Sequence, residues 1–165
     1  MSGAAGLRVG IGTDAHRFCA PRPLVLGGVK LRDHNGLAGH SDADVLTHAV
    51  MDALLGAARL GDIGALFPDS DPAYREANSL ELLTAVAALL NRHGWKVINV
   101  DAVVICEDPR IAPYRQEMEA RLAAAMGVAA AQVSVKGTTT EGMGFTGRGE
   151  GIAAQAVALV VRNSC

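Results

Sequence analysis

The residues best able to do chemistry fall into four groups. Asp14-Ala15-His16 comes first. In extended chain, residues two apart point to the same side, so this carboxylate and imidazole can converge on one ion. A turn Asp beside a solvent-exposed His explains the same three letters, and the pair by itself does not separate the two accounts. The second group is His40-Ser41-Asp42-Ala43-Asp44, followed by His48 and Asp52. Spacing by four sets Asp44, His48 and Asp52 on one helix face, away from the stripe of Leu46, Val50 and Leu54. An ordinary exposed face would carry Lys and Glu there, and this helix has no Lys. His48 can complete a three-ligand set with Asp14 and His16, leaving a fourth position open to a substrate oxygen, as in catalytic zinc sites. Asp44 or Asp52 is then expected to orient the imidazole. The competing account has Ser41 or Asp42 capping the helix and His48 as a satisfied polar residue.

The third group, Asp62, Asp69 and Asp71, lacks the central Gly and distal Glu of a calcium loop, and turn chemistry explains it. The fourth is Lys136-Gly137-Thr138-Thr139-Thr140-Glu141 and the Gly-rich run that follows it to Gly151. Three hydroxyls, freed backbone N–H groups and a carboxylate suit a phosphate held with a hard cation. No Walker A loop is present. Thr138-x-x-Glu141 also matches a helix capping box, and caps at helix N-termini bind anions too. Two further histidines read as structural. His93 stands before Gly94 at a helix end, and His34 stands in the turn Asp33–Gly36.

Elements must bring these groups together. The chain has 165 residues, 50% of them hydrophobic but only 4% aromatic, so its apolar mass is Ala, Val, Leu and Ile. That suits small-residue helices packed on a branched-residue sheet in one domain, 1–165, with residues 1–7 a short N-terminal extension. Leu7–Gly12 reads as a strand ending in a loop that carries Asp14 and His16. Pro23–Leu31 reads as a hairpin around Gly27-Gly28. A helix is expected from Ser41 or Asp42 to about Leu60, a second over Ser79–His93 and a third over Ile111–Met126. Strands are expected over Lys96–Cys106 and Gln132–Lys136. Thr138–Glu150 reads as loop with one helical turn. Gly151–Val161 suits helix or strand, and its Val-rich end favours strand. Interleaved strands and helices favour a two-layer α/β sandwich.

The balance of charge excludes some classes of function. A net charge of −2 argues against a nucleic-acid glove, which needs a basic face. It does not exclude phosphate chemistry, because a bound metal supplies positive charge locally. Cys19, Cys106 and Cys165 are scattered and form no disulfide framework, so a reducing cytoplasm is the expected compartment. The first residues lack a signal peptide's features, and the longest apolar runs fall short of the ~20 residues a membrane span needs.

Three long segments, GTDAH, GHSDADVLTHAVMDALLGAARLGDIGALFPDSDP and KGTTTEGMGFTGRGEGIAAQAVAL, resemble the 2-C-methyl-D-erythritol 2,4-cyclodiphosphate synthases. The resemblance runs from about Arg8 to Val161. It implies a ferredoxin-like sandwich with a mixed sheet, assembled as a homotrimer with its sites between subunits. It implies conversion of 4-diphosphocytidyl-2-C-methyl-D-erythritol 2-phosphate to the 2,4-cyclodiphosphate with release of CMP. Asp14, His16 and His48 match the family's zinc ligands. Glu141 matches the holder of a second ion, magnesium or manganese. His40 and Thr139 match the pair that supports the transition state. Ser41, Asp62, Ile63 and Gly64 match substrate contacts, as do Phe67, Pro68, Asp69, Ser70 and Asp71. Cys106, Glu107, Asp108, Pro109, Arg110, Ile111 and Ala112 match the cytidine pocket. Thr138 and Thr140 flank the catalytic threonine, and Phe145 and Arg148 match residues near the binding loop. Some relatives are fused to a cytidylyltransferase, for which this length leaves no room.

In that reaction the 2-phosphate attacks the β-phosphorus of the same molecule, so charge neutralisation and positioning dominate and no protein nucleophile is needed. Two other readings fit the residues less completely. A metal-dependent phosphohydrolase would give an opened, hydrated product. A non-catalytic metal-binding or assembly module would release no CMP.

Overall fold

The computed structural model describes residues 6–163, so most of the expected N-terminal extension, and Cys165, lie outside the described residues. Strand β1 (Leu7–Cys19) is followed by a hairpin of β2 (Leu24–Leu26) and β3 (Val29–Arg32), then by β4 (Gly36–Leu37). Helix α1 (Val45–Ala58) precedes the short α2 (Ile63–Leu66) and the long α3 (Ser79–Arg92). Strand β5 (Trp95–Ile105), helix α4 (Arg115–Met126), strand β6 (Val133–Thr138), one turn of helix α5 (Gly144–Gly147) and strand β7 (Gly151–Arg162) complete the chain.

The main sheet has the order β4-β1-β7-β5-β6. It is mixed: β7 runs antiparallel to β1 and β5, while β5 and β6 are parallel. The Ala/Val-rich end segment is therefore a strand, as its valines favour. Its central place explains its composition, because Ala154, Ala156 and Ala158 face the helices and their small side chains let α1 lie close. Along β1, β5 and β7 buried residues alternate with exposed ones, so helices cover one face of the sheet. The other face leaves Val9 68% and Ile11 66% exposed, with Val157 and Leu7 also open. Among the described residues, no helix is long and apolar enough to cross a membrane.

The first strand does not end at Gly12. It continues to Cys19 because β7 runs beside it through Asp14↔Ala154 and His16↔Ile152. Asp14 and His16 thus stand on regular strand, two residues apart on one face, rather than on a loop. The first helix also begins later than expected. Ala43 takes a left-handed φ of 55° that breaks any helix started at Ser41, and Asp44 is the cap. Its other end is closed by Arg59, also left-handed, ahead of Gly61. The third helix starts at Arg115, after a 3-10 turn over Ala112–Tyr114.

Helix α1 is the hub of the core. Only Asp52 and Gly56 escape burial on it, so the face carrying His48 is not a solvent face. It sits directly on β1, where an added methyl on Gly10 would lie 2.0 Å from the Ala53 carbonyl oxygen, and one on Gly12 1.9 Å from that of Ala49. Two glycines on one face of the strand therefore set the helix-to-strand distance.

Asp44 does not orient His48. Its Oδ1 accepts from Gly27 N at 2.8 Å and Thr47 N at 3.0 Å, and its Oδ2 from Gly28 N and Thr47 Oγ1, both at 2.8 Å. One buried carboxylate thereby caps α1 and holds the β2–β3 turn against it. Burial pushes this carboxyl up from its usual value and Asp42 adds to that, while the donors pull it back. Asp44→Ala removes the cap and strands two turn amides. The expected loss is at least about 3 kcal/mol, read from denaturant unfolding at fixed protein concentration.

Candidate metal centre and adjoining cavities

Asp14 and His16 come from β1 and His48 from α1, and the glycine contact between those elements brings them together. Asp14 Oδ2 lies 2.9 Å from His16 Nε2 and 3.0 Å from His48 Nδ1. One ligand atom from each of the three falls within 4.8 Å of the others, the only such group found among the described residues. One carboxylate oxygen and two imidazole nitrogens aimed at a common point are a donor set that suits a borderline divalent ion such as zinc.

Without an ion the three groups are held together by shared protons. Burial alone would raise the Asp14 carboxyl, but hydrogen bonds to both imidazoles hold it well below the usual carboxylate range. The hydrogen bond to Asp14 raises the His16 imidazole, against the opposing effect of burial. His16 Nδ1 donates to the Ala38 carbonyl at 2.6 Å, so Nε2 is the nitrogen that shares a proton with Asp14 and that would turn its lone pair to an ion once that proton is lost. His48 presents the opposite nitrogen. Its Nδ1 faces Asp14, while its Nε2 meets Ser79 Oγ at 3.0 Å and Ser41 Oγ at 3.2 Å.

This centre opens into a cavity of about 410 Å³. His40, Ser41, Ile63, Gly64, Phe67, Pro68 and Asp69 line it, all expected from the sequence. Met51, Tyr74 and Leu82 line it too, and only the fold reveals them. His40 carries an orphan: its Nε2 is buried with no hydrogen-bond partner in the protein. Asp62, Ser70 and Asp71 are not among the lining residues. Asp62 caps α2 through Ala65 N, and Asp71 caps the Pro72–Tyr74 turn through Ala73 N, as turn chemistry predicts. Asp52 does not orient His48 either. It accepts from Ile63 N at 2.9 Å and so ties the α2 loop to α1.

The Thr-rich loop lies elsewhere in the chain. Thr138 and Thr139 line a second cavity, of about 190 Å³, with Cys106, Glu107, Pro109, Arg110, Ile111 and Ala112. The two cavities share no lining residue. Thr138–Glu141 is not a capping box, because Thr138 ends β6 and Glu141 takes a left-handed φ of 52° instead of entering a helix. Glu107 holds the loop in shape, accepting from Thr140 N and Gly142 N. The Thr140 hydroxyl donates to the Met143 carbonyl and meets Thr146 Oγ1 at 2.9 Å. Asp108 pairs with Arg32 at 2.6 Å. Burial pushes the Cys106 thiol up to about 11, which makes it a poor nucleophile. Phe145 stands beside His16 in a third concavity, and Arg148 pairs with Glu150.

A model described as the YgbB family matches residues 7–161, a span that contains the triad and both cavities. The chain belongs to the YgbB family. Among curated members, the 2-C-methyl-D-erythritol 2,4-cyclodiphosphate synthase of Rubrobacter xylanophilus is 60% identical, over 95% of this chain and 96% of that protein. The bifunctional enzyme IspD/IspF of Desulforudis audaxviator is 56% identical over 98% of this chain but only 41% of its own length. Among solved structures, the bifunctional IspDF from Campylobacter jejuni superposes with a TM-score of 0.92 at 40% identity, covering 94% of this chain and 42% of that one. A Plasmodium falciparum IspF in complex with CDP gives 0.84 at 31% identity, covering 96% and 98%.

Proposed function

We propose that this chain converts 4-diphosphocytidyl-2-C-methyl-D-erythritol 2-phosphate to 2-C-methyl-D-erythritol 2,4-cyclodiphosphate and CMP, acting as a cytoplasmic phosphorus–oxygen lyase. The observation that carries the reading is the convergence of Asp14, His16 and His48 beside a cavity, in a chain 60% identical to a synthase of that name. An oxygen of the 2-phosphate bonds to the β-phosphorus. The bond from that phosphorus to the bridging oxygen breaks, and its electron pair leaves with CMP. Zinc at Asp14, His16 and His48, with magnesium or manganese at Glu141, would supply the positive charge that offsets repulsion between the phosphates. The protein's own groups position the substrate. His40 Nε2, buried and unpartnered, is suited to a phosphate oxygen, and Thr139 offers a hydroxyl at the other cavity. The segment Cys106–Ala112 would take the cytidine.

In one chain the metal centre and the cytidine segment line separate cavities, and one substrate needs both within its reach. A homotrimer meets that need by setting the first cavity of one chain against the second cavity of its neighbour. The open sheet face with Val9, Ile11 and Val157 offers apolar surface to bury in such an assembly.

Incubating the protein with the cytidine diphospho substrate and magnesium should release CMP and form the cyclic diphosphate in equal amounts, followed by phosphorus NMR. An opened, hydrated product would establish the phosphohydrolase instead, and no CMP at all would point to an assembly module. Glu141→Gln is expected to keep its zinc but lose magnesium or manganese dependence, with turnover reduced on the order of 100-fold. Unchanged dependence would remove Glu141 from the site.

A further inference from the structure

Each imidazole that faces Asp14 must have its other nitrogen held, or the ring can turn or present a proton where a lone pair is required. His16 meets this with a backbone carbonyl. His48 has only hydroxyls, and a hydroxyl both gives and takes. What decides its role is where its own proton goes. Ser79 is fully buried, and its hydroxyl donates to Asp42 Oδ1, while Asp42 Oδ2 accepts from Ser79 N at 2.9 Å. A carboxylate only accepts. With its proton committed to Asp42, the Ser79 oxygen is left to accept from His48 Nε2, so that once an ion takes the place of the proton shared with Asp14 the lone pair of His48 is on Nδ1, on the ion's side.

We propose that Asp42 and Ser79 are positioning residues of the metal centre, a carboxylate–hydroxyl–imidazole relay that sets the tautomer and angle of His48. The proposal rests on the reading of Asp14, His16 and His48 as metal ligands. It assigns a task to two residues at the junction of the α1 entry loop and the first turn of α3. The sequence reads Asp42 as a cap of the first helix and Ser79 as the first residue of the second, and Asp42 does support the α3 N-terminus through Ser79 N, so a cap effect must be told apart from a relay effect. Asn78 provides the comparison. It caps the same helix through Leu80 N at 2.9 Å, and His48 is not among its hydrogen-bond partners.

The test uses the full chain loaded with zinc. Affinity is measured by competition with a chromogenic chelator for wild type, Ser79→Ala, Asp42→Asn and Asn78→Ala. The first two variants should bind zinc roughly 10–100-fold more weakly. Asn78→Ala should lower the melting temperature and keep wild-type affinity. Imidazole nitrogen NMR of the zinc-loaded wild type should show a slowly exchanging His48 Nε2–H, and that proton should exchange faster in both relay variants that fold. Wild-type affinity in Ser79→Ala and Asp42→Asn, or a loss no greater than in Asn78→Ala, would overturn the relay and leave the metal centre standing. A proton on Nδ1 of the zinc-loaded chain would instead remove His48 from the ligand set and sink the metal reading together with the relay. If the wild-type chain binds no zinc, the metal reading itself fails and takes the relay with it.

Discussion

His48→Ala should strip the centre of zinc and lower turnover at least about a thousand-fold, because several kcal/mol of charge stabilisation at the phosphates would be lost. In the proposed zinc site His48 is the one residue contributed by α1. The two that remain, Asp14 and His16, stand two residues apart on β1 and by themselves would hold an ion only weakly. The fold should survive. The imidazole lies at the edge of the core, and Ser79 keeps its hydroxyl's bond to Asp42, so the stability cost is expected to stay within about 1–3 kcal/mol. Elemental analysis of the purified variant beside wild type provides the check. Full zinc content in a folded His48→Ala protein would refute the ligand assignment.

The second large effect is expected far from any ligand, at Gly12. An alanine there places its methyl 1.9 Å from the Ala49 carbonyl oxygen and 2.7 Å from Ala53 N. These are backbone atoms of a buried helix, so no side chain can swing away. The helix must lift or the strand must bow. Overpacking of this kind costs about 1–3 kcal/mol where a core can adjust, and the rigid neighbours here put Gly12→Ala at or above the top of that range. The displacement also has a direction that matters. His48 precedes Ala49 on the helix and Asp14 follows Gly12 by two on the strand, so parting the elements parts the ligands. Zinc affinity should fall together with stability. Gly56→Ala supplies the contrast, since its methyl would meet nothing nearer than the Ile11 carbonyl at 3.9 Å on an exposed part of the same helix. It should stabilise the protein by up to about 1 kcal/mol and leave zinc binding alone. Should Gly12→Ala unfold and bind zinc as wild type does, the glycine contact would not be what sets the triad.

Local periodicity made much of the architecture legible. The hairpin at Gly27-Gly28, the helix before His93-Gly94, the stop at Gly127 and the β character of the last segment follow from turn chemistry and side-chain spacing. Gly12, Thr13 and Asp14 look like a strand giving way to a turn, because glycine and aspartate are poor strand formers in isolation. Pairing with β7 overrides that preference, and glycine is present because α1 needs the room. The helix start was misread because Ser41, Asp42 and Asp44 are all good caps, and only the left-handed Ala43 selects among them.

The site divides in the same way. Asp14, His16 and His48 could be read from residue chemistry as candidate ligands, since a two-residue strand period and a lone helix histidine are local facts, and the fold brings them within reach of one ion. Asp44 and Asp52 looked like partners of His48 because four-residue spacing shares a face. In the fold Asp44 is taken up by the cap bond to Thr47 and by Gly27 and Gly28, and Asp52 by Ile63; no spacing rule connects them to those glycines or to Ile63.

Residue types and their short-range order therefore determined which side chains could bind a cation, and which segments would be helix or strand. The tertiary structure alone decided how far apart the strand and helix lie, which nitrogen His48 turns toward Asp14, and that the threonine loop lines a different cavity from the triad. The reason is range. Propensity and periodicity act over a few residues, whereas those three outcomes depend on contacts between segments more than thirty residues apart, such as Asp14 with His48 and Asp42 with Ser79.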